Sequence, residues 1–212
     1  MNVSIFGATG ATGKLLTERC LSAGYTVRIL ARDPRSFSLA GYVEAITGDA
    51  RDLTAVRQTI RGSDLVLSAL GAKSWKREDL LETAVPLIIT AMQEQKVRRI
   101  IVVGSAGAVS TSLDKQPAYR RWIAENILYK TALKWPVTSQ RAQYKALSAS
   151  NLDWTMVMPP MLRDSAPRRS YRIDGEALPR NGVGISRAEL ADFMMLQVNG
   201  AEWVRRGVYI SW

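Results

Sequence analysis

One segment limits what this chain can fold into more than any other: Val3-Ser4-Ile5-Phe6-Gly7-Ala8-Thr9-Gly10-Ala11-Thr12-Gly13. A short apolar run leads into three glycines spaced three apart, and an amphipathic pattern predicting a helix over Thr12–Ala23 overlaps the last of them. A glycine turn between a strand and a helix is the context in which such a motif cradles a dinucleotide. Gly7 would make the tight bend, Gly10 would let the backbone approach a pyrophosphate, and Gly13 would let the helix pack close to the sheet. The helix start around Ala11 and Thr12 would offer unpaired N–H groups and the positive end of its dipole, with the Thr9 and Thr12 hydroxyls as further donors.

The rest of the chain repeats the same alternation. Apolar runs predict strands near Val3–Phe6, Thr26–Leu30, Val43–Thr47, Leu65–Ser68, Arg99–Val103 and Thr155–Met158, with a short last strand at Val208–Ile210. Between them, helical patterns run near Leu53–Ile60, Glu78–Gln95, Pro117–Leu133, Thr138–Ala149 and Ser186–Val198. Gly24 stands where a helix C-terminal glycine belongs, and Asp52 and Ser186 are suited to N-caps. Strands alternating with helices predict an α/β single-domain Rossmann fold over 1–212, a parallel sheet with helices on both faces. Two stretches interrupt the rhythm, 104–116 and 159–184, and both follow strand ends, where open sheets place ligands. They are expected to form a small substrate lobe.

Composition removes several function classes. The chain of 212 residues has one cysteine, Cys20, and no histidine, so neither a disulfide framework nor a His/Cys metal site can be assembled. No apolar stretch reaches the length of a membrane span, and no leader is recognisable, so a soluble cytoplasmic protein is expected. The net charge of +10 attracts anions of any kind, but no nucleic-acid-reading motif accompanies it.

The cofactor's 2′ position is read at the end of the second strand. Here Ala31-Arg32-Asp33-Pro34 offers a guanidinium where NAD enzymes place a carboxylate, which favours NADP(H). Asp33 would instead open a turn before Pro34. Asp49 and Ala50 follow the third strand, on the adenine side. Leu70-Gly71-Ala72 follows the fourth, where small residues let the chain pass close to the cofactor.

These residues, together with Leu152-Asp153-Trp154-Thr155, Val157-Met158-Pro159-Pro160 and Ile185-Ser186-Arg187-Ala188-Glu189, resemble the atypical short-chain dehydrogenases. Within them the chain is most similar to the NmrA-like group and its biliverdin-IXβ reductase/flavin reductase branch. The resemblance implies cofactor contacts from Gly7, Thr9, Gly10, Thr12, Arg32, Asp49, Leu70, Gly71 and Ser105, with Pro159 beside them. Met161 stands where that branch carries a histidine near the substrate, a departure that argues against tetrapyrrole reduction.

Ordinary ketone reduction in this superfamily uses a tyrosine and a lysine four apart on one helix face. No tyrosine of this sequence has a lysine four residues later. Hydride transfer to a flavin, quinone or related conjugated acceptor needs no dedicated protein acid to the same degree, and it is the expected activity. Ser105 is the candidate catalytic residue, hydrogen-bonding the carboxamide or the acceptor. Met161 and Leu162 would form an apolar floor. Arg168 and Arg169 either clamp an anionic group of the acceptor or belong to a solvated loop. Trp154 reads as strand core, and Trp122 and Trp135 as packing residues. A non-catalytic NADP(H) sensor and an epimerase-like enzyme with tightly bound NADP remain as alternatives.

Overall fold

The structure is a computed structural model that describes residues 1–71 and 77–212. In chain order its strands and helices are β1 (Asn2–Phe6), α1 (Ala11–Ser22), β2 (Thr26–Ala31), β3 (Glu44–Thr47), α2 (Leu53–Ile60), β4 (Leu65–Ser68), α3 (Leu80–Glu94), β5 (Arg99–Val103), α4 (Ala118–Asn126) and α5 (Lys134–Ser148). They continue through β6 (Asp153–Met158), β7 (Leu162–Arg163), β8 (Arg172–Asp174), β9 (Ile185–Ser186), α6 (Arg187–Leu196) and β10 (Arg206–Ser211). The main sheet has the order β3-β2-β1-β4-β5-β6-β10-β8, and all its pairings are parallel except β10 with β8. This is a Rossmann-like single domain. The strand order reverses between β1 and β4, the switch point at which such sheets open a crevice.

Alternation along each central strand splits the core into two layers. On β5, Ile100 and Val102 face the layer under α2, α3 and α5, whereas Ile101 and Val103 face the layer under α1 and α6. Trp154, Met156 and Met158 of β6 join the first layer and Val157 the second. A sheet buried on both faces needs apolar residues on both, which is why these strands read as continuous Val/Ile runs. Trp154 is strand core as expected, 4% exposed, with Tyr144 set edge-on against it at 5.7 Å.

The local signals act as anticipated. Gly24 adopts a positive φ of 74° after α1, Asp52 accepts from Thr54 N, and Ser186 with Glu189 forms a complete capping box. Three expectations need correction. The helix anticipated over Pro117–Leu133 is α4 followed by a separate 3-10 turn at Leu128–Lys130, after which Thr131 leaves helical backbone. The next helix begins at Lys134 rather than Thr138, since Pro136 falls in its first turn, where a missing N–H costs nothing. Trp122 does not pack: it is 59% exposed on α4.

The interruptions at 104–116 and 159–184 are stitched to each other. Gln116 Nε2 donates to the carbonyls of Leu178 and Pro179, Leu178 N donates to Ser112 O, and Lys115 pairs with Asp174 at 2.7 Å. The second stretch also supplies β8, an antiparallel edge strand that the sequence pattern does not announce. No described helix is long and apolar enough to cross a membrane.

Candidate active site

A cleft of about 1,210 Å3 runs along the carboxyl ends of β1 to β5. Its middle is the glycine turn. Gly7 has φ +78°, and a Cβ there would lie 2.7 Å from the Ala69 carbonyl, so both backbone conformation and space demand glycine. A Cβ on Gly13 would lie 2.0 Å from Gly7 O, so Gly13 allows α1 to start directly against the turn. Gly10 is the N-cap of α1 and provides no side-chain cap, and no acidic residue occupies the first helical turn. The first N–H groups of α1 are therefore left for a ligand, beside a dipole that favours an anion. Thr9, Gly10, Ala11 and Thr12 line the cleft here; Gly13 lies behind it as a packing residue.

At one end the cleft is lined by charged residues of both signs. Arg32 follows β2 directly, is exposed, and makes no ion pair among the described residues. Asp33 is occupied locally, accepting from Arg35 N at 3.2 Å and Arg35 Nε at 3.1 Å. Asp49 and Ala50 also line this end. Arg51, which the sequence reading passed over, forks Asp49 through Nε at 3.0 Å and Nη2 at 3.2 Å and reaches Asp79 with Nη1 at 3.1 Å. Hydrogen bonds from the Arg51 side chain and then its backbone hold the Asp49 carboxyl below its ordinary value, and the Arg32 charge adds to this.

The opposite end is formed by Val103, Gly104 and Ser105 after β5, by Leu133, Pro136 and Gln140 of the α5 region, and by Leu162 and Arg187. Ser105 caps the short turn that follows it, accepting from Gly107 N at 3.4 Å, while Ala106 N donates to Pro159 O at 3.0 Å. Pro159 thus supports the Ser105 turn from behind the cleft. Leu70 and Gly71 line the cleft between its ends; Ala72 lies outside the described residues. The sequence reading also missed Gln140 and Arg187, because nothing in a lone sequence shows which face of α5 or α6 meets the crevice.

Three expected substrate residues are not brought to the cleft. Met161 is 55% exposed outside it, and only Leu162 of that pair lines it. Arg168 and Arg169 both donate their backbone N–H to Glu189 Oε1 at 2.9 Å, and the Arg168 guanidinium lies 3.9 Å over the Trp212 ring. Their loop is tied to α6 and the C-terminus. The cation that reaches the cleft from this side is Arg187, paired at 2.6 Å with the exposed Asp164.

A crevice at the switch point, a glycine turn and a bare helix start together define a dinucleotide-binding protein. The chain belongs to the NAD(P)H-binding family, whose model matches residues 7–200. Cinnamoyl-CoA reductase 1 of Petunia hybrida is 31% identical over 127 residues, 54% of this chain and 38% of that protein, so the chain spans well under half of that relative. The same fold occurs in ChuY, an anaerobillin reductase of Escherichia coli O157:H7, with TM-score 0.82, 21% identity and coverage of 100% of this chain and 97% of that one. It occurs again in a candidate NADH-flavin reductase of Streptococcus pneumoniae TIGR4, with TM-score 0.80, 21% identity and coverage of 100% and 99%.

Proposed function

We propose that this protein is an NADP(H)-dependent reductase that delivers hydride to a flavin, quinone or related conjugated acceptor. The residues fit the cofactor: Gly10 leaves the turn open for a pyrophosphate, and the uncapped start of α1 supplies its donors. Arg32, free of Asp33, is suited to a 2′-phosphate at the end of β2. When bound, the dihydronicotinamide supplies the hydride.

The observation that carries the choice of acceptor is the composition of the cleft wall. Among the described residues that line it there is no tyrosine and no lysine, and α5 presents Pro136 and Gln140, four apart, on its cleft side. A wall without a tyrosine acid suits an acceptor whose proton comes from water. Ser105 would hydrogen-bond the carboxamide or the acceptor, Leu133, Pro136 and Leu162 would hold a flat apolar ring, and Arg187 would meet an anionic group. The folds shared with reductases of anaerobillin and of flavin agree with such a substrate class.

Steady-state oxidation of NADPH with FMN, naphthoquinone and an aliphatic ketone tests this reading. Consumption with the two conjugated acceptors and none with the ketone is expected. NADPH binding without consumption in any mixture would instead mean a non-catalytic sensor.

A further inference from the structure

Gln143 is fully buried on α5, and its Nε2 donates twice, to the Val103 carbonyl at 3.0 Å and to Gln140 Oε1 at 3.0 Å. A backbone carbonyl can only accept, so Val103 decides which end of the Gln143 amide faces it. The same nitrogen then meets Gln140, which must answer with its oxygen. The –NH2 of Gln140 is thereby turned away from Gln143, on a residue that lines the cleft at the Ser105 end.

The arrangement carries a cost that packing alone does not explain. Gln143 Oε1 is buried without a hydrogen-bond partner. Buried amide oxygens are nearly always paired, and leaving one unpaired is destabilising. Turning the amide over would give no relief, since it would set the oxygen against the Val103 carbonyl. What the geometry preserves is the orientation of Gln140.

We propose that the Gln140 amide is the hydrogen-bond donor that engages the acceptor's conjugated carbonyl, and that Gln143 is the positioning residue that aims it. The inference rests on the reductase reading. As hydride arrives from the dihydronicotinamide, which is oxidised, the acceptor is reduced and its carbonyl oxygen takes up negative charge. The Gln140 N–H stabilises that charge without transferring its proton, because a carboxamide is far too weak an acid, and water supplies the proton that completes the reduction. Acceptors with a carbonyl conjugated to the carbon or nitrogen that takes the hydride are therefore favoured.

The test compares wild type with Gln140→Leu, Gln140→Glu and Gln143→Leu, using naphthoquinone as acceptor and its carbonyl stretch in the bound state as a second readout. In wild type the stretch should lie below its value in apolar solvent; in Gln140→Leu the lowering should vanish. Turnover should fall on the order of 10²-fold, as for loss of one oxyanion donor, with NADPH affinity unchanged. Gln140→Glu should do the same by offering only acceptors. Gln143→Leu, checked for an unchanged circular dichroism spectrum, should broaden the stretch and lower kcat more than it raises KM; should it fail to fold, the two Gln140 variants decide alone. A lowered stretch in a wild type that does not turn over would support the donor and overturn the reductase reading. Full turnover in Gln140→Leu, or a wild-type stretch that is not lowered, would overturn the donor itself.

Discussion

Glu189 accepts the indole N–H of Trp212 at 2.9 Å while its other oxygen holds the backbone N–H groups of Arg168 and Arg169. One carboxylate, 3% exposed at the third position of α6, thus fastens the 168–169 loop and the chain's last residue to the same helix start, where the dipole favours its charge. Both oxygens are fully used. In Glu189→Gln one side must present an –NH2 to donors, and about 1–3 kcal/mol is lost for each buried donor left unpaired. A thermal melt lowered by several degrees is expected, and an unchanged melt would show that the contacts are not formed together.

The same carboxylate predicts acid sensitivity. Burial opposes its charge, but hydrogen bonds from Ser186, Trp212 and the backbone outweigh burial and hold its pKa below the ordinary value for glutamate. A group depressed in the folded state stabilises it fully above the unfolded value, near 4.3 for glutamate, and loses that stabilisation as pH falls through the lower folded value. Wild type should lose stability steeply on acidification in that range. Glu189→Gln should show a shallower loss when both are followed by denaturant titration at several pH values.

Arg32 stands at the end of β2 with no ion pair in contact among the described residues, whereas Asp33 is engaged by Arg35. Arg32→Ala should weaken NADPH binding by roughly tenfold or more, equivalent to about 1.5–3 kcal/mol for a charge-assisted contact, and leave NADH almost unaffected. Fluorescence titration of both cofactors checks this. Equal losses would mean that Arg32 does not read the 2′-phosphate.

Two glycines of one turn should fail differently. Gly10 has φ −80° and ψ 165°, which any residue can adopt, and its Cβ would press on Gly7 O at 3.3 Å, a contact that a small backbone shift relieves. Gly10→Val should therefore stay folded and lose NADPH. Gly13→Ala would place a Cβ 2.0 Å from the same oxygen, so it should lower the melting temperature even without cofactor. Melts with and without NADPH separate the two.

Acceptor charge gives another contrast. Arg187 reaches the cleft and Arg168 and Arg169 do not, so Arg187→Ala should raise the KM for FMN more than for riboflavin, an effect that shrinks with salt. The double variant Arg168→Ala/Arg169→Ala should leave both KM values unchanged. A response of the double variant alone would return the anion site to that loop.

The central sheet was legible because each strand is short, apolar and bounded by turn residues, and the glycine turn because its spacing serves one purpose. Less legible were residues whose role depends on which helix face meets the cleft. Gln140 and Gln143 are ordinary polar positions on α5 until Val103 is known to lie beneath them. Arg187 is inconspicuous in the sequence as the first residue after the Ser186 N-cap, whereas the arginines of 163–172 are dense. Density of charge in a sequence does not show direction, and here tertiary bonds to Glu189 turn that loop elsewhere.

The most direct test of the account is an anaerobic single turnover, with stoichiometric NADPH and protein mixed against excess naphthoquinone and the nicotinamide and quinone absorbances followed together. Loss of the reduced-nicotinamide band in step with quinone reduction is expected, faster with NADPH than with NADH at equal subsaturating concentration. A stable complex in which bound NADPH keeps its absorbance while quinone remains oxidised would contradict it.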